Sequence, residues 1–295
     1  MLRRPGAADV LEIEDVDKPM PAGNQVLVRI RAATVTRGDI ALRRIPGMMW
    51  PLLRLGMGLQ RKRILGHEFA GEVEAVGQGV STFMPGDAVF GTTTGLAVGS
   101  HADYVCVPHD GPLAGKPAGV TFEEAAAIPV GGMTALRLLR NAGMQPGIRV
   151  LIYGASGSVG SFAVQLAAHA GTDVTGVCST VNVDLVRSLG AGQVIDYTRA
   201  DYAVSGQRYD VIFDAVGKTS RSHASRALRP GGTFVSVRTA GRERLDDLLV
   251  LRDLLERGAI RPVIDRRFRL EQIREAHRYV EAGHKKGNVV ITFRD

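Results

Sequence analysis

Two rhythms divide the chain. Up to about residue 120, short runs alternate apolar with polar residues: "QVLVRIRAA", "FAGEVEAVG", "DAVFG" and "ADYVCVP". Valine is frequent in them, and turn-rich stretches such as "VGQGVSTFMPGD" separate them, which predicts β-strands with one face against a core. Beyond that point the period changes. "RVLIYG" leads into "SVGSFAVQLAAHAG" and "DVTGVCS" into "NVDLVRSLGA"; "QVIDY" follows, and "YDVIFDAVG" leads into "SRSHASRALRPGG" before "TFVSV". Strands taking turns with helices predict a parallel sheet with helices on both faces. The tail, "FRLEQIREAHRYVEAGHKKGNVVITFRD", predicts one helix and a terminal strand. The fold class is α/β, a β-rich part followed by a doubly wound parallel sheet.

The junction of the first strand and helix of that sheet reads "YGASGSVGS". A strand, a glycine turn and a helix in succession form a phosphate-binding unit. The helix N-terminus presents unpaired N–H groups and a partial positive charge, and glycines let the backbone approach a pyrophosphate without a Cβ in the way. Gly154, Gly157 and Gly160 recur at three-residue spacing, with Ser156, Ser158 and Val159 between them. With further strand–helix units behind it, the loop points to a dinucleotide. An NAD site usually carries an acid at the end of the second strand to hold the ribose 2′-hydroxyl. Here that strand ends in "VCSTVN", with Ser179, Thr180 and Asn182 and no acid before Asp184. Hydroxyl and amide donors suit a 2′-phosphate, so the expected cofactor is NADPH. No Arg or Lys stands at the tip; Arg187 is a turn further on.

Composition narrows the class. The chain has 295 residues, 45% hydrophobic, enough to bury a core without staples. Cys106 and Cys178 are its only cysteines, no apolar run is long enough to span a bilayer, and the start "MLRRPGAADVLEIED" has no signal-peptide core. The expected location is cytoplasmic. A net charge of +7 invites a nucleic-acid reading, but the arginines are scattered among acids with no aromatic-basic module, and a phosphorylated small molecule is steered by the same excess. No nucleic-acid or membrane partner is expected. "IPGMMWPLLRLGMGLQRKR" at 45 to 63 reads as a substrate-pocket lid holding Met48, Met49 and Trp50.

"GHEFAGEVEAVGQGVSTFMPGDAVFG", "AAAIPVGGMTALRLLRNAGMQPGIRVLIYGASGSVGSFAVQLA" and "GNVVITF" closely resemble the medium-chain dehydrogenase/reductases, in particular the zinc-independent, quinone-oxidoreductase-like branch. The resemblance implies a GroES-like catalytic domain from residues 1–119 and 263–295, with a Rossmann domain, 120–262, inserted and the nicotinamide in the cleft. It implies cofactor contacts from Thr134, from the loop Gly154, Ser156, Gly157, Ser158, Val159 and Gly160, from Ser179, Thr180 and Tyr197 around the adenosine phosphate, from Val216 and Gly217 beside the ribose, and from Asn288. Zinc-dependent relatives ligate the metal with a Cys ahead of Gly-Asp, a Gly-His-Glu histidine and a later Cys or acid. Here Arg37 stands at the first of these in "TVTRGD", the four-Cys lobe is absent, and His67 has no soft partners, so no metal is expected.

Without a Lewis acid a carbonyl must be polarised by hydrogen bonds, which suits quinones, enones and activated aldehydes. Similar reductases turn an Asn and a Tyr toward the nicotinamide; this chain has Thr36 and Ala41 near those places, and Thr36 and Asp39 are its candidate catalytic residues, Asp39 equally readable as a turn cap. "GGTFVSV" runs almost directly into "RTAGRERLDD", where similar proteins place a further strand that pairs with its copy in a homodimer. The resemblance therefore implies a Rossmann sheet shortened by a strand and a dimer without its usual edge. Two readings follow: an NADPH-dependent oxidoreductase acting on a small carbonyl or quinone substrate, and an NADPH-binding sensor or structural protein with little catalysis.

Overall fold

In a computed structural model of the chain, residues 1–45, 64–93, 98–239 and 241–293 are described; the expected lid with Met48, Met49 and Trp50 lies outside them. The strands are β1 (Gln25–Thr34), β2 (Glu68–Val76), β3 (Ala88–Thr92), β4 (Tyr104–Pro108), β5 (Leu113–Gly115), β6 (Arg149–Tyr153), β7 (Asp173–Cys178), β8 (Gln193–Asp196), β9 (Tyr209–Asp214), β10 (Leu228–Ser236), β11 (Ile264–Arg269) and β12 (Asn288–Thr292). The helices are α1 (Arg37–Arg43), α2 (Phe122–Ala126), α3 (Pro129–Asn141), α4 (Ser158–His169), α5 (Val183–Ser188), α6 (Arg221–Ser225), α7 (Leu245–Glu256) and α8 (Ile273–Ala282). They fall into two compact units.

The first unit comprises Met1–Pro129, Arg244–Leu248 and Ile264–Asp295. Its sheet runs β11-β12-β1-β2-β3-β5, with β4 also on β1. All pairs are antiparallel except β11 on β12. The alternation of the early runs fits this sheet: Val26, Val28 and Ile30 of β1 enter a core with Phe69, Val73, Val89 and Val107. The C-terminal strand is recruited into the N-terminal sheet because Ala32, Ala33 and Thr34 pair with Thr292, Ile291 and Val290. Helix α8 buries Ile273, Ala276, His277 and Val280, the stripe of a helix facing a core, and ends on Gly283 at φ +81°.

The second unit comprises Val130–Glu243 and Leu249–Val263. Its described strands form a five-stranded parallel sheet, β10-β9-β6-β7-β8. The order reverses beside β6, so the crevice above the carboxyl ends opens at the β6–α4 junction, the place where open α/β sheets take ligands. Helix α4 buries every residue from Gly160 to Ala167, consistent with its nearly continuous apolar sequence.

One predicted element is cut short. The stretch "SRSHASRALRPGG" gives only the five-residue α6, after which β10 already begins at Leu228. Pro230 and the glycines after it cannot extend a helix, and the strand is irregular between Leu228 and Thr233 before it settles into pairing with β9. Strand β11 appears where the sequence pattern predicted only the approach to a helix; "IDRRFR" is too charged to read as a strand, and its pairing with β12 fixes it.

Candidate functional site

In the second unit the glycine turn has the conformation its sequence implies. Gly154 lies at φ +80°, and a Cβ there would come within 2.5 Å of Val216 Cγ1. A Cβ on Gly160 would fall 2.1 Å from the Gly154 carbonyl oxygen, so only glycine lets α4 start this close to the turn. Gly157 is the N-cap residue of α4 and offers no side-chain cap to the first turn of the helix. Thr134 is half-buried on α3.

The tip of β7 is tied to this turn by Asn182. Its Nδ2 donates to Ser156 Oγ at 3.1 Å and Ser179 Oγ at 3.2 Å, while its buried Oδ1 has no partner among the described residues. That orphan acceptor is the kind of buried group a ligand hydroxyl satisfies. Thr180 behaves differently. Its hydroxyl donates to Asp196 Oδ2 at the end of β8 and lies 3.2 Å from Thr198 Oγ1. Asp196, absent from the linear reading of the tip, is brought there by the β7–β8 pairing. The Thr180 and Thr198 hydroxyls hold its carboxyl below the usual range, and Arg199 lies at 3.6 Å. Arg187 pairs instead with Asp184, at 3.9 Å.

Across the crevice Asp214, fully buried, organises the loop after β9. Its Oδ1 accepts from the N–H groups of Val216, Gly217 and Lys218, and its Oδ2 from Thr219 N and Ser236 Oγ. Val216 and Tyr197 are exposed here, as is Val181. Tyr197 is anchored through its N–H to Cys178 O at the end of β7.

In the first unit, Thr36 and Asp39 form a capping box at the start of α1. Asp39 N donates to Thr36 Oγ1 at 3.2 Å; Thr36 N and Thr36 Oγ1 donate to Asp39 Oδ2 at 2.8 and 2.7 Å. The other carboxylate oxygen accepts from Gly66 N at 3.0 Å and faces His67 Nδ1 at 3.1 Å. Burial alone would raise the Asp39 carboxyl, but the His67 contact, the nearby His101 and the Thr36 bond hold it far below the usual carboxylate range. The Thr36 hydroxyl hydrogen is therefore spent on Asp39, which removes it as a donor to a carbonyl. Asn288 is buried at the start of β12. Nearby charges include Glu68, which accepts from Thr34 Oγ1, and Lys285, whose ammonium burial pushes down to about 8 against the pull of Glu68 and Asp265.

Residues 22–118 match the model of the alcohol dehydrogenase GroES-like domain, and residues 189–291 the model described as zinc-binding dehydrogenase. The chain is 32% identical to 2-methylene-furan-3-one reductase of Solanum lycopersicum over 97% of its length and 76% of that protein. It is 31% identical to the chloroplastic quinone-oxidoreductase QR1 of Triphysaria versicolor, covering 97% of this chain and 94% of that one. The solved quinone oxidoreductase of Coxiella burnetii superposes with a TM-score of 0.88 at 29% identity, covering 99% and 98% of the two chains. The chain belongs to the medium-chain dehydrogenase/reductase superfamily. Within it the affinity is to the quinone-oxidoreductase-like branch, and the protein is an NAD(P)-dependent oxidoreductase.

The residues of this medium-chain reductase fit the two groups its family suggests unequally. A dinucleotide meets glycines that admit its backbone, uncapped helix N–H groups and the orphan Asn182 Oδ1. Zinc does not fit. Arg37 stands in place of the first ligand, and His67 Nδ1 faces Asp39. No group of three His, Cys, Asp or Glu among the described residues could hold a metal. Burial raises the Cys106 thiol and pushes the Cys178 thiol up to about 11, away from the thiolate that zinc requires. The sequence reading missed Asp196 and Asp214 because each reaches the crevice from a strand end remote in the chain. Asp214, in "VIFDAVG", carries a local signal: an acid closing an apolar strand just before a glycine.

Proposed function

We propose that this medium-chain reductase uses NADPH to reduce a quinone, an enone or an activated aldehyde, and that it does so without zinc. The observation that carries the proposal is the Asn182 Oδ1, without a partner among the described residues, on a side chain whose Nδ2 ties Ser156 of the glycine turn to Ser179 at the β7 tip, beside the α4 N-terminus that has no side-chain cap. In this reading Gly154, Ser156, Gly157, Ser158, Val159 and Gly160 hold the pyrophosphate by backbone N–H groups and by the absence of obstructing side chains. Ser179 and Tyr197 take the adenosine phosphate, and Asn182 Oδ1 accepts from a ribose hydroxyl. Thr180 keeps Asp196 occupied, so its part is to shield that carboxylate rather than to donate. Val216 and Gly217, on the loop set by Asp214, lie beside the ribose; Thr134 and Asn288 serve the nicotinamide end. Bound NADPH supplies a hydride equivalent.

Asp39 is a positioning residue here. It fixes the α1 N-terminus, the Gly66 N–H and the His67 ring in one arrangement, with the His67 Nδ1 proton held toward the carboxylate. The substrate class is supported by the reductase and quinone-oxidoreductase activities for which the relatives are named, and the zinc-free chemistry by a donor set that does not fit the metal. The test is NADPH oxidation followed at 340 nm with a quinone, an enone and a simple ketone, with and without a chelator. Turnover with the first two, chelator-insensitive, supports the proposal; turnover only of simple ketones, or loss with chelator, overturns it. The occupied Thr36 hydroxyl favours the second reading, an NADPH-binding protein with little catalysis, and tight binding without turnover across the panel would establish it.

A further inference from the structure

Behind the crevice of the second unit lies a cavity of about 470 Å³ whose walls include Tyr153, Tyr197, Tyr202, Lys218, Ser220 and His223. Its volume lies within the range of small-molecule sites. Its wall residue Tyr153 immediately precedes Gly154 in the chain, and Val216, two residues before Lys218, packs against Gly154. On the other side the cavity reaches the β7 tip, since Tyr197 is bonded to Cys178 O. The wall is aromatic below, where Tyr153 and Tyr202 lie 5.8 Å apart and Tyr202 meets His223 edge-on at 5.1 Å. Hydroxyls of Ser220 and Thr219 stand at one side.

Several cations around this end of the sheet are already engaged. Arg187 pairs with Asp184, Arg199 with Asp196, and Arg238 donates through Nε and Nη2 to Gly217 O. Lys218 is exposed, lines the cavity and forms no ion pair with a described residue; only its backbone N–H is used, by Asp214. The one carboxylate in the wall, Asp201, accepts at Oδ1 from Ala203 N at 2.9 Å and faces His223 Nε2 at 3.0 Å with the same oxygen. Tilted aromatic rings beside an exposed ammonium suit a planar base carrying a nearby anion.

Resting on the cofactor reading above, we propose that this cavity receives the phosphorylated adenosine end of NADPH, and that Lys218 is the cation that selects the 2′-phosphate. The selecting charge would then come from the loop after β9 and not from the tip of β7, where Val181 and Thr180 supply none. This explains how a site with no Arg or Lys at that tip can still prefer the phosphorylated cofactor.

The test uses adenine nucleotides alone, so that turnover plays no part. 2′,5′-ADP and 5′-ADP are titrated by calorimetry into the wild type, Lys218→Ala and Lys218→Arg, and NADPH binding is followed in parallel. The wild type should bind 2′,5′-ADP the more tightly. Lys218→Ala should lose roughly tenfold to hundredfold in 2′,5′-ADP affinity with 5′-ADP unchanged, and Lys218→Arg should keep most of it. An exposed lysine makes misfolding an unlikely confounder, and unchanged 5′-ADP binding by Lys218→Ala verifies it. Lys218→Ala keeping the full preference while NADPH still binds would overturn the assignment of Lys218 and leave the cofactor reading intact. A wild type that binds neither adenine nucleotide nor NADPH would overturn both.

Discussion

The two polar centres of this protein are built on opposite plans. Around the glycine turn the α4 N-terminus has no side-chain cap, and Asn182 Oδ1 is buried without a partner among the described residues. Around Asp39 the hydrogen-bonding groups are closed, the carboxylate taking Thr36 N, Thr36 Oγ1, Gly66 N and His67 Nδ1. A buried polar group left unsatisfied costs free energy until a partner arrives, so an open set marks where a ligand belongs. A closed set marks architecture. On this difference rests the proposal that cofactor recognition lies in the second unit and that the Asp39 network is a frame holding a loop.

If the Asp39 network is a frame, breaking it should cost stability before it costs binding. Asp39→Ala leaves the Gly66 N–H and the α1 N-terminus without their acceptor and is expected to destabilise by about 3 kcal/mol or more, read by chemical denaturation. NADPH affinity of the folded variant should be nearly unchanged. A variant of native stability with lost NADPH binding would reverse the contrast.

The open centre should respond the other way. Gly160→Val drives a Cβ against the Gly154 carbonyl, so NADPH binding should vanish, with a stability loss of roughly 1–3 kcal/mol. Calorimetric titration of a sample shown to be folded by circular dichroism separates the two effects.

A third test concerns His277, fully buried in the first unit with no partner on either ring nitrogen among the described residues. Burial, with His101 and Arg43 adding, pushes its imidazole down to about 3, while Asp39 pulls the other way. The unfolded chain then binds the proton that the folded chain refuses. The contribution of His277 to stability should be level above pH 6.5 and fall below it, by up to about 1.4 kcal/mol per pH unit toward pH 3. His101, also lowered by burial, adds to the same acid limb. His277→Leu should flatten part of that limb in urea denaturation at pH 4 to 7, and an unchanged slope would remove His277 as its source.

The smallest effect is expected at Asn182. Asn182→Ala should weaken NADH and NADPH alike by about 1 kcal/mol, one hydrogen bond, leaving the cofactor preference unchanged. A selective loss of NADPH would show that Asn182 reads the phosphate and sharpen the map of the open centre.

The alternating strands, the strand–helix rhythm and the glycine turn were legible in the sequence because each is a local pattern with its own period. The C-terminal strand could be predicted as a strand, but not its partner, since pairing with β1 joins residues at opposite ends of the chain. The same separation hid Asp196, which reaches Thr180 only because β7 and β8 lie side by side. The carboxylate-free β7 tip read from "VCSTVN" is true along the chain and false in space. Thr36 read as an available donor for an equally physical reason: its sequence shows a hydroxyl, and only the capping box shows where the hydrogen goes. The five-stranded second sheet follows from the short stretch after "GGTFVSV", a feature visible as spacing alone.

The most direct test of the account is titration of the purified protein with NADPH and NADH, followed by nicotinamide fluorescence, beside the Gly160→Val variant. Saturable binding that favours NADPH and disappears in the folded variant is the predicted result. Binding of neither cofactor by the wild type, or undiminished binding by the variant, would contradict the claim that the glycine turn is the cofactor site.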